Sequence, residues 1–104
     1  MIEKHILCQE RVRRVPPHFS WVDHRLVRDH HLRRADAKAW ALYLVLVTVG
    51  DEHGLSYYSE RSLARRLSLS EPEIIAARRT LVAAELIAYE APLYQVLALD
   101  RGAR

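Results

Sequence analysis

The fold of this chain is decided by residues 59–99, SERSLARRLSLSEPEIIAARRTLVAAELIAYEAPLYQVLAL. Ser59 precedes a helical segment, and Ser70 and Glu73 have the Ser-x-x-Glu spacing of a capping box, in which two side chains satisfy backbone N–H groups of the first helical turn. Pro72 falls in that first turn, where a missing N–H costs nothing. These signals place the starts of two helices.

The capping signals predict one helix over residues 60–67 and a second from residue 71 to about residue 85. The link between them, residues 68–70, is so short that only a helix pair crossing at a large angle fits it. After the second helix, apolar residues alternate over residues 87–96, which predicts a β-hairpin. Its tip is predicted at residues 90–92 in a loop longer than two residues, because proline is disfavoured at the third position of a type I turn.

A third helix is predicted ahead of this region. It begins at Asp36 and ends at Gly50, where we expect a left-handed glycine. Its last ten residues are apolar nearly all round, which predicts burial on most sides, either beneath the rest of the domain or against a second subunit. A turn at residues 51–54 and a short strand at residues 55–58, paired with the hairpin, complete the predicted domain.

The spacing of apolar residues also predicts the core. Its expected members are Leu63, Ala64 and Leu67 on the first helix of the pair, Leu69 in the turn, Ile74, Ala77 and Leu81 on the second helix, and Leu86 before the hairpin. The predicted fold class is mainly α, with three to four helices and a small β-hairpin. We divide the chain into a basic arm with a short helix over residues 1–34, this domain over residues 35–100, and a tail over residues 101–104.

Several motifs within residues 39–99 carry a resemblance. In chain order they are ALYLVL, GLSYYS, LARRLSLS, ARRTL and LIAY. The region resembles the winged-helix domains of bacterial replication-initiation and transcription-regulator proteins, which implies a winged helix-turn-helix fold over a little over half of the chain. One departure is Glu85, where the family usually has glycine. A non-glycine residue there must adopt a left-handed conformation or let the helix end differently.

The resemblance implies binding to double-stranded DNA, with the second helix of the pair in the major groove and nearby cations on phosphates. The candidate contacts are Arg61, Arg65 and Arg66 on the first helix and Arg79 and Thr80 on the second. Arg79 is suited to two hydrogen bonds with a guanine. Arg78 is instead expected to pack its stem against the core and to pair with Glu71 or Glu85.

The positive charge of the chain is concentrated ahead of the domain. Residues 1–34 carry eight Lys/Arg against four acids, a net charge of +4, whereas the remaining residues carry a net charge of −1. A bound polyanion would therefore meet the arm first, with Arg11, Arg13 and Arg14 as candidate contacts. The alternative is that the arm is a solvated segment without a ligand.

The arm has its own structural signals. Valine and arginine alternate over residues 11–15, which fits an edge strand or an extended arm, and Pro16-Pro17 enforces an extended step. A short helix capped by Ser20 or Asp23 is predicted to run toward Arg33. The side chains expected to anchor the arm on the domain are those of Phe19, Trp21 and Val22.

Three features favour a protein partner over DNA. Glu71 and Glu73 place negative charge at the end of the helix that would enter the groove, residues 87–95 contain no basic side chain, and the outer surface of the second helix is rather apolar. The alternative function is therefore an assembly module that does not bind DNA. It would form a homodimer through the apolar helix at residues 39–49 or through the helix at residues 71–85.

The sequence favours neither catalysis nor metal binding. It has no Gly-rich phosphate loop, no His-Glu-x-x-His and no nucleophile elbow, so we predict no enzymatic activity and no cofactor. The side chains that could form a metal site, His24, His30 and His31 with Cys8 or His5, match no established ligand spacing. We therefore predict no metal.

The sequence also predicts a soluble cytoplasmic protein. The single cysteine is compatible with a reducing compartment, and the charged residues around the short apolar run at the N-terminus do not fit a signal peptide. The longest apolar stretch, residues 39–49, spans 11 residues, and a membrane helix needs about 20. No membrane contact is expected.

Overall fold

Four helices and a three-stranded antiparallel sheet make up residues 2–100, the part of the chain described by the structure, a computed structural model. The helices are α1 (Arg25–Arg28), α2 (Ala37–Val49), α3 (Glu60–Leu67) and α4 (Glu71–Ala83). The strands are β1 (Leu55–Tyr57), β2 (Ile87–Glu90) and β3 (Leu93–Val96), in the sheet order β1-β3-β2. The predicted fold class, mainly α with a small β-hairpin in a winged helix-turn-helix arrangement, is confirmed.

The helix starts follow the predicted caps. The Ser59 hydroxyl accepts a hydrogen bond from the Ser62 N–H at 3.1 Å. The capping box of α4 is complete, because the Ser70 hydroxyl accepts from the Glu73 N–H at 3.2 Å and the Glu73 carboxylate accepts from the Ser70 N–H at 2.9 Å. Each cap satisfies donors that the helix itself leaves unpaired, so these local signals fix where α3 and α4 begin.

The core lies between α2, α3, α4 and the inner face of the hairpin. Six predicted members are buried, namely Leu63, Ala64, Ile74, Ala77, Leu81 and Leu86, while Leu67 and Leu69 are half-buried at its edge. Leu42 and Leu46 of α2 and Tyr94 of β3 complete its centre. The register pairs Ile87 with Val96 and Tyr89 with Tyr94, which confirms the predicted alternation.

The prediction that α2 is buried on most sides is largely confirmed, since among residues 40–49 only Leu44 and Thr48 are exposed. Ala39, Leu42, Tyr43 and Leu46 are buried on one face, but Leu44 is 61% exposed on the other. The helix packs against α3, α4 and β3 of its own chain, which leaves a narrow strip at Leu44 and Thr48 uncovered. Within residues 2–100, no helix combines the length and the apolar character needed to cross a bilayer.

The predicted left-handed end at Gly50 is wrong, since Gly50 has φ −66° and ψ 148°. Glycine fits there for a different reason, because a Cβ would lie 3.1 Å from the Leu46 carbonyl oxygen and 3.3 Å from Gly54. Among residues 2–100 the left-handed glycine is Gly54, with φ 79°. A Cβ on Gly54 would lie 2.8 Å from the Val96 carbonyl oxygen, so the turn and β3 approach closely there.

The ends of α3 and α4 use left-handed residues other than glycine. Ser68 has φ 57° after α3, and Glu85 has φ 62° two residues beyond the last residue of α4. Of the two outcomes expected at Glu85, the structure therefore shows the left-handed conformation. The helix was predicted to end at about residue 85, and its last residue is Ala83. The sharp change of direction at Ser68 lets α4 cross α3.

The hairpin loop is shorter than predicted. The loop contains only Ala91 and Pro92, joined by a cis peptide bond, whereas a longer loop was predicted. The longer loop was predicted because proline is disfavoured at the third position of a type I turn, the position that Pro92 occupies. The ladder continues to the pair of Glu90 and Leu93, which leaves only two residues between the strands.

The arm is extended rather than a strand. Residues 2–22 are all exposed, with one 3-10 turn at Gln9–Arg11. The radius of gyration is 15.9 Å, against about 13 Å for a compact domain of about 100 residues, because the arm projects from the domain. Phe19 and Trp21 were expected to anchor the arm but are 69% and 77% exposed, and Val22 is 51% exposed.

The segment after the arm is held by other contacts. The predicted helix toward Arg33 is interrupted, since His30 has φ 65° and separates α1 from a 3-10 turn at His31–Arg34. Leu26 of α1 is buried, the Trp40 ring N–H donates to the Leu32 carbonyl at 2.9 Å, and the Arg34 guanidinium donates to the Ala84 carbonyl. Two of these contacts use main-chain carbonyl oxygens, those of Leu32 and Ala84, as acceptors. Such contacts cannot be predicted from a pattern of side chains.

Ser68→Gly should increase stability by up to about 1 kcal/mol, because glycine adopts the left-handed conformation without the Cβ clash of an L residue. Ser62→Gly, the same substitution inside α3, should decrease stability by about 0.5 kcal/mol. Urea unfolding followed by circular dichroism measures both. A loss of stability in Ser68→Gly would contradict the left-handed conformation of Ser68.

Candidate nucleic-acid interface

The outer face of α4 is the surface that a helix-turn-helix presents to a ligand. Ile74, Ala77 and Leu81 point into the core, so the opposite side faces solvent. The exposed positions on that side are Pro72, Ala76, Arg79, Val82 and Ala83. They recur every three or four residues and therefore form one stripe along the helix. Arg79 is the only charged residue of the stripe and lies near its middle.

The acidic residues at the start of α4 are compensated by cations from neighbouring elements. The Lys38 ammonium of α2 lies 2.5 Å from the Glu73 carboxylate, and this hydrogen bond, with that from the Ser70 N–H, lowers the pKa of Glu73 to about 2. The Arg61 side chain of α3 lies 4.0 Å from Glu71. The negative charge that the sequence places at this end is thus balanced in the folded chain.

The three arginines of α3 have different surroundings. Arg61 and Arg65 are exposed and four residues apart, so they share one face of the helix. The Arg66 guanidinium lies 5.0 Å from the centre of the Tyr58 ring, a cation–π contact that restricts its side chain. Arg65 therefore keeps the reach that phosphate contacts require, whereas Arg61, 80% exposed but 4.0 Å from Glu71, and Arg66, against Tyr58, each have a contact within the chain.

On α4 the two candidate residues also differ. Arg79 is exposed on the outer stripe. The Thr80 hydroxyl is half-buried and donates to the Ala76 carbonyl at 3.1 Å, so its proton already has an acceptor within the helix. Arg79 therefore has the better placement for a base edge.

Arg78 has the structural role expected for it, but with another partner. Its side chain is 13% exposed, and it donates to the Glu60 carboxylate at 2.6 Å and to the Tyr94 hydroxyl oxygen at 3.1 Å. Its guanidinium also lies 4.1 Å from the centre of the Tyr89 ring. The carboxylate was predicted to be Glu71 or Glu85, and the structure places that of Glu60 on α3 against it. The hydrogen bond lowers the pKa of Glu60.

The arm joins the domain far from the start of α4. The Ser20 hydroxyl donates to the Thr48 carbonyl at the last turn of α2, whereas Lys38, at the first turn, contacts Glu73. Ten residues of helix separate these points, a distance of about 15 Å. The candidate residues of the arm, Arg11, Arg13 and Arg14, are exposed on this separate extension.

Lys38 is the residue of this surface that sequence reasoning missed. It lies 35 positions from Glu73, and the sequence contains no signal that pairs them. Only the crossing of α2 over α4 brings the two together. Lys38 should thus be counted with Arg61 as a cation at the start of α4.

Potential metal ligands come together away from His24, His30 and His31. Within residues 2–100, one group of three such side chains has its ligand atoms within 4.8 Å of one another, formed by Asp51, Glu52 and His53. The Asp51 carboxylate already accepts the N–H groups of His53 and Leu55, which lowers its pKa. These bonds give the group a structural role as the turn before β1.

Comparisons of the chain with protein-family models, with curated proteins and with solved structures find no match. The fold class therefore rests on the geometry described above.

Acidification should destabilise the protein through Glu73. Its pKa is about 2 in the fold against an ordinary value of 4.5, so its contribution to stability is complete above about pH 4.5 and is lost as the pH falls toward 2. Glu73→Gln keeps a capping-box residue but should show a smaller loss of thermal stability over this range. Lys38→Gln should have the same effect, and the double variant should add little to either single one.

Arg78→Met should lower the free energy of unfolding by about 1–3 kcal/mol, because Glu60 and the Tyr94 hydroxyl each lose a partner in a half-buried site. Arg79→Met, one residue away on the exposed stripe, should change it by less than about 0.5 kcal/mol. Urea titration of both variants measures the difference. Equal effects would contradict the structural assignment of Arg78.

Proposed function

We propose that this chain is a DNA-binding winged-helix protein of the cytoplasm, without enzymatic activity, that acts in transcription regulation or replication initiation. The observation that carries the proposal is the charge arrangement at the exposed end of the helix pair. Lys38 and Arg61 compensate the acids of α4, and Arg65 and Arg79 remain exposed beside them. Such a surface attracts phosphates without a repulsive centre.

The residues divide into two roles. Arg61 and Arg65, on one face of α3, would hold phosphates and set the position of the helix pair on the duplex. Arg79, on the outer stripe of α4, would reach a base edge, where guanine offers two acceptors to an arginine. The two small residues of the stripe, Ala76 and Ala83, let the α4 backbone approach the groove closely.

The hairpin limits this mode of binding. Residues 87–95 contain no basic side chain, and Glu90 stands next to the loop. The hairpin would therefore contribute little to phosphate contacts, and the arginines of α3 would provide most of the affinity. Few phosphate contacts predict a shallow but measurable dependence of affinity on salt.

The apolar part of the surface favours a second candidate function, protein assembly without DNA. Val82 is 41% exposed on the α4 stripe, and Leu44 is 61% exposed on α2. A homodimer could cover either position. This function predicts self-association with no affinity for nucleic acid.

Fluorescence anisotropy with a labelled generic duplex, from about 50 to 200 mM salt, tests the first proposal. Affinity should fall as salt rises, because each phosphate contact releases counterions and adds about 0.9 to the slope of log K against log salt. The double variant R61A/R65A should bind more weakly and have a slope lower by about 2.

The matched control is R28A/R33A, which removes the same charge from exposed residues outside the helix pair. It should keep the slope of the unsubstituted chain. Absence of binding at about 50 mM salt, where even non-specific binders associate, would reject the proposal. Equal losses in both double variants would show attraction by net charge alone and would also reject it.

A further inference from the structure

A groove with a volume of about 470 Å³ lies where the arm meets the domain. Its apolar lining comes from Trp21, Tyr43, Val47, Leu97 and Leu99. Asp51 and Glu52 form one side of it, and both are exposed. The groove thus combines an apolar floor with an acidic margin, and its volume is in the range that takes several side chains of a ligand.

The arm has the complementary character. Ile2, Leu7 and Val15 are 91%, 90% and 79% exposed, an unusual display of large aliphatic side chains along one segment. The same segment, residues 2–15, carries Lys4 and three arginines against two acids. The arm is thus basic and apolar, and the groove is acidic and apolar, so the two are complementary in charge.

The path of the chain favours a groove on another molecule. Phe19 and Trp21 line the groove, so each arm departs from the margin of its own groove. To enter it, the arm would have to reverse direction within a few residues, at the point where Pro16-Pro17 holds the backbone extended. A segment of this length spans at most about 45 Å when fully extended, which is enough to reach a neighbouring molecule.

We propose that this chain forms a homodimer by exchange of arms, in which residues 2–15 of each copy occupy the groove of the other. The contact is isologous, since each copy gives one arm and receives one, and it therefore closes at two subunits. The aliphatic side chains of the arm fill the apolar floor. Arg13 and Arg14 pair in charge with the acidic margin at Glu52. This surface is separate from α4, so the dimer forms without DNA.

Charge reversal on the two sides of the contact tests the proposal. Sedimentation analysis of the full chain at about 100 μM should give a dimer, since this is well above a micromolar dissociation constant. E52R alone and R13E/R14E alone should each raise the dissociation constant about tenfold or more through like-charge contacts. An equimolar mixture of the two variants should restore the dimer, because each arm then meets a groove of opposite charge.

The mixture also controls for misfolding, since a chain that failed to fold could not restore association. A monomeric unsubstituted chain, a dimer unaffected by either charge reversal, or a mixture that stays monomeric would each overturn the proposal. Leu7→Ser and Leu44→Ser provide a matched pair on the arm and on α2. Leu7→Ser should dissociate the dimer and Leu44→Ser should not. The reverse result would overturn arm exchange and would indicate a dimer formed through α2.

Discussion

The contacts of one arginine unite the helix pair and the hairpin. Arg78 extends from α4 to Glu60 at the start of α3 and to Tyr94 in the centre of the hairpin, while its guanidinium covers the Tyr89 ring. A half-buried guanidinium needs partners for its donors, and those of Arg78 come from two other elements, α3 and the hairpin. The angle between α3 and α4 and the placement of the sheet are therefore coupled.

The ends of α4 are held from the N-terminal side of the domain. Lys38 contacts Glu73 near the start of α4, and Arg34 binds the Ala84 carbonyl at its end. Both cations come from the segment at the start of α2, which crosses α4. Residues 34–38, which precede and begin α2, thus help to hold α4 in place through Arg34 and Lys38.

The two proposals assign the remaining cations to different tasks. In the first, Arg65 and Arg79 would contact phosphates and bases; in the second, Arg13 and Arg14 of the arm, which is attached about 15 Å away along α2, would contact a second copy. Net charge alone would have assigned all of them to DNA. Geometry separates them, because the acidic margin near Glu52 lies beside the arm and the compensated acids lie at the start of α4. A dimer held by its arms would present two helix pairs together, which suits a duplex site with two halves.

The sequence by itself determined the starts of α3 and α4, the alternation of the hairpin and the inner face of the helix pair. These features depend on residues within a few positions of one another, such as Ser70 and Glu73, and local chemistry is written in the sequence. Tertiary structure decided that α2 exposes Leu44, that Gly50 is needed for a close backbone approach, and that Lys38 neutralises Glu73. Each of these depends on which distant element lies alongside, and residue spacing carries no record of such contacts.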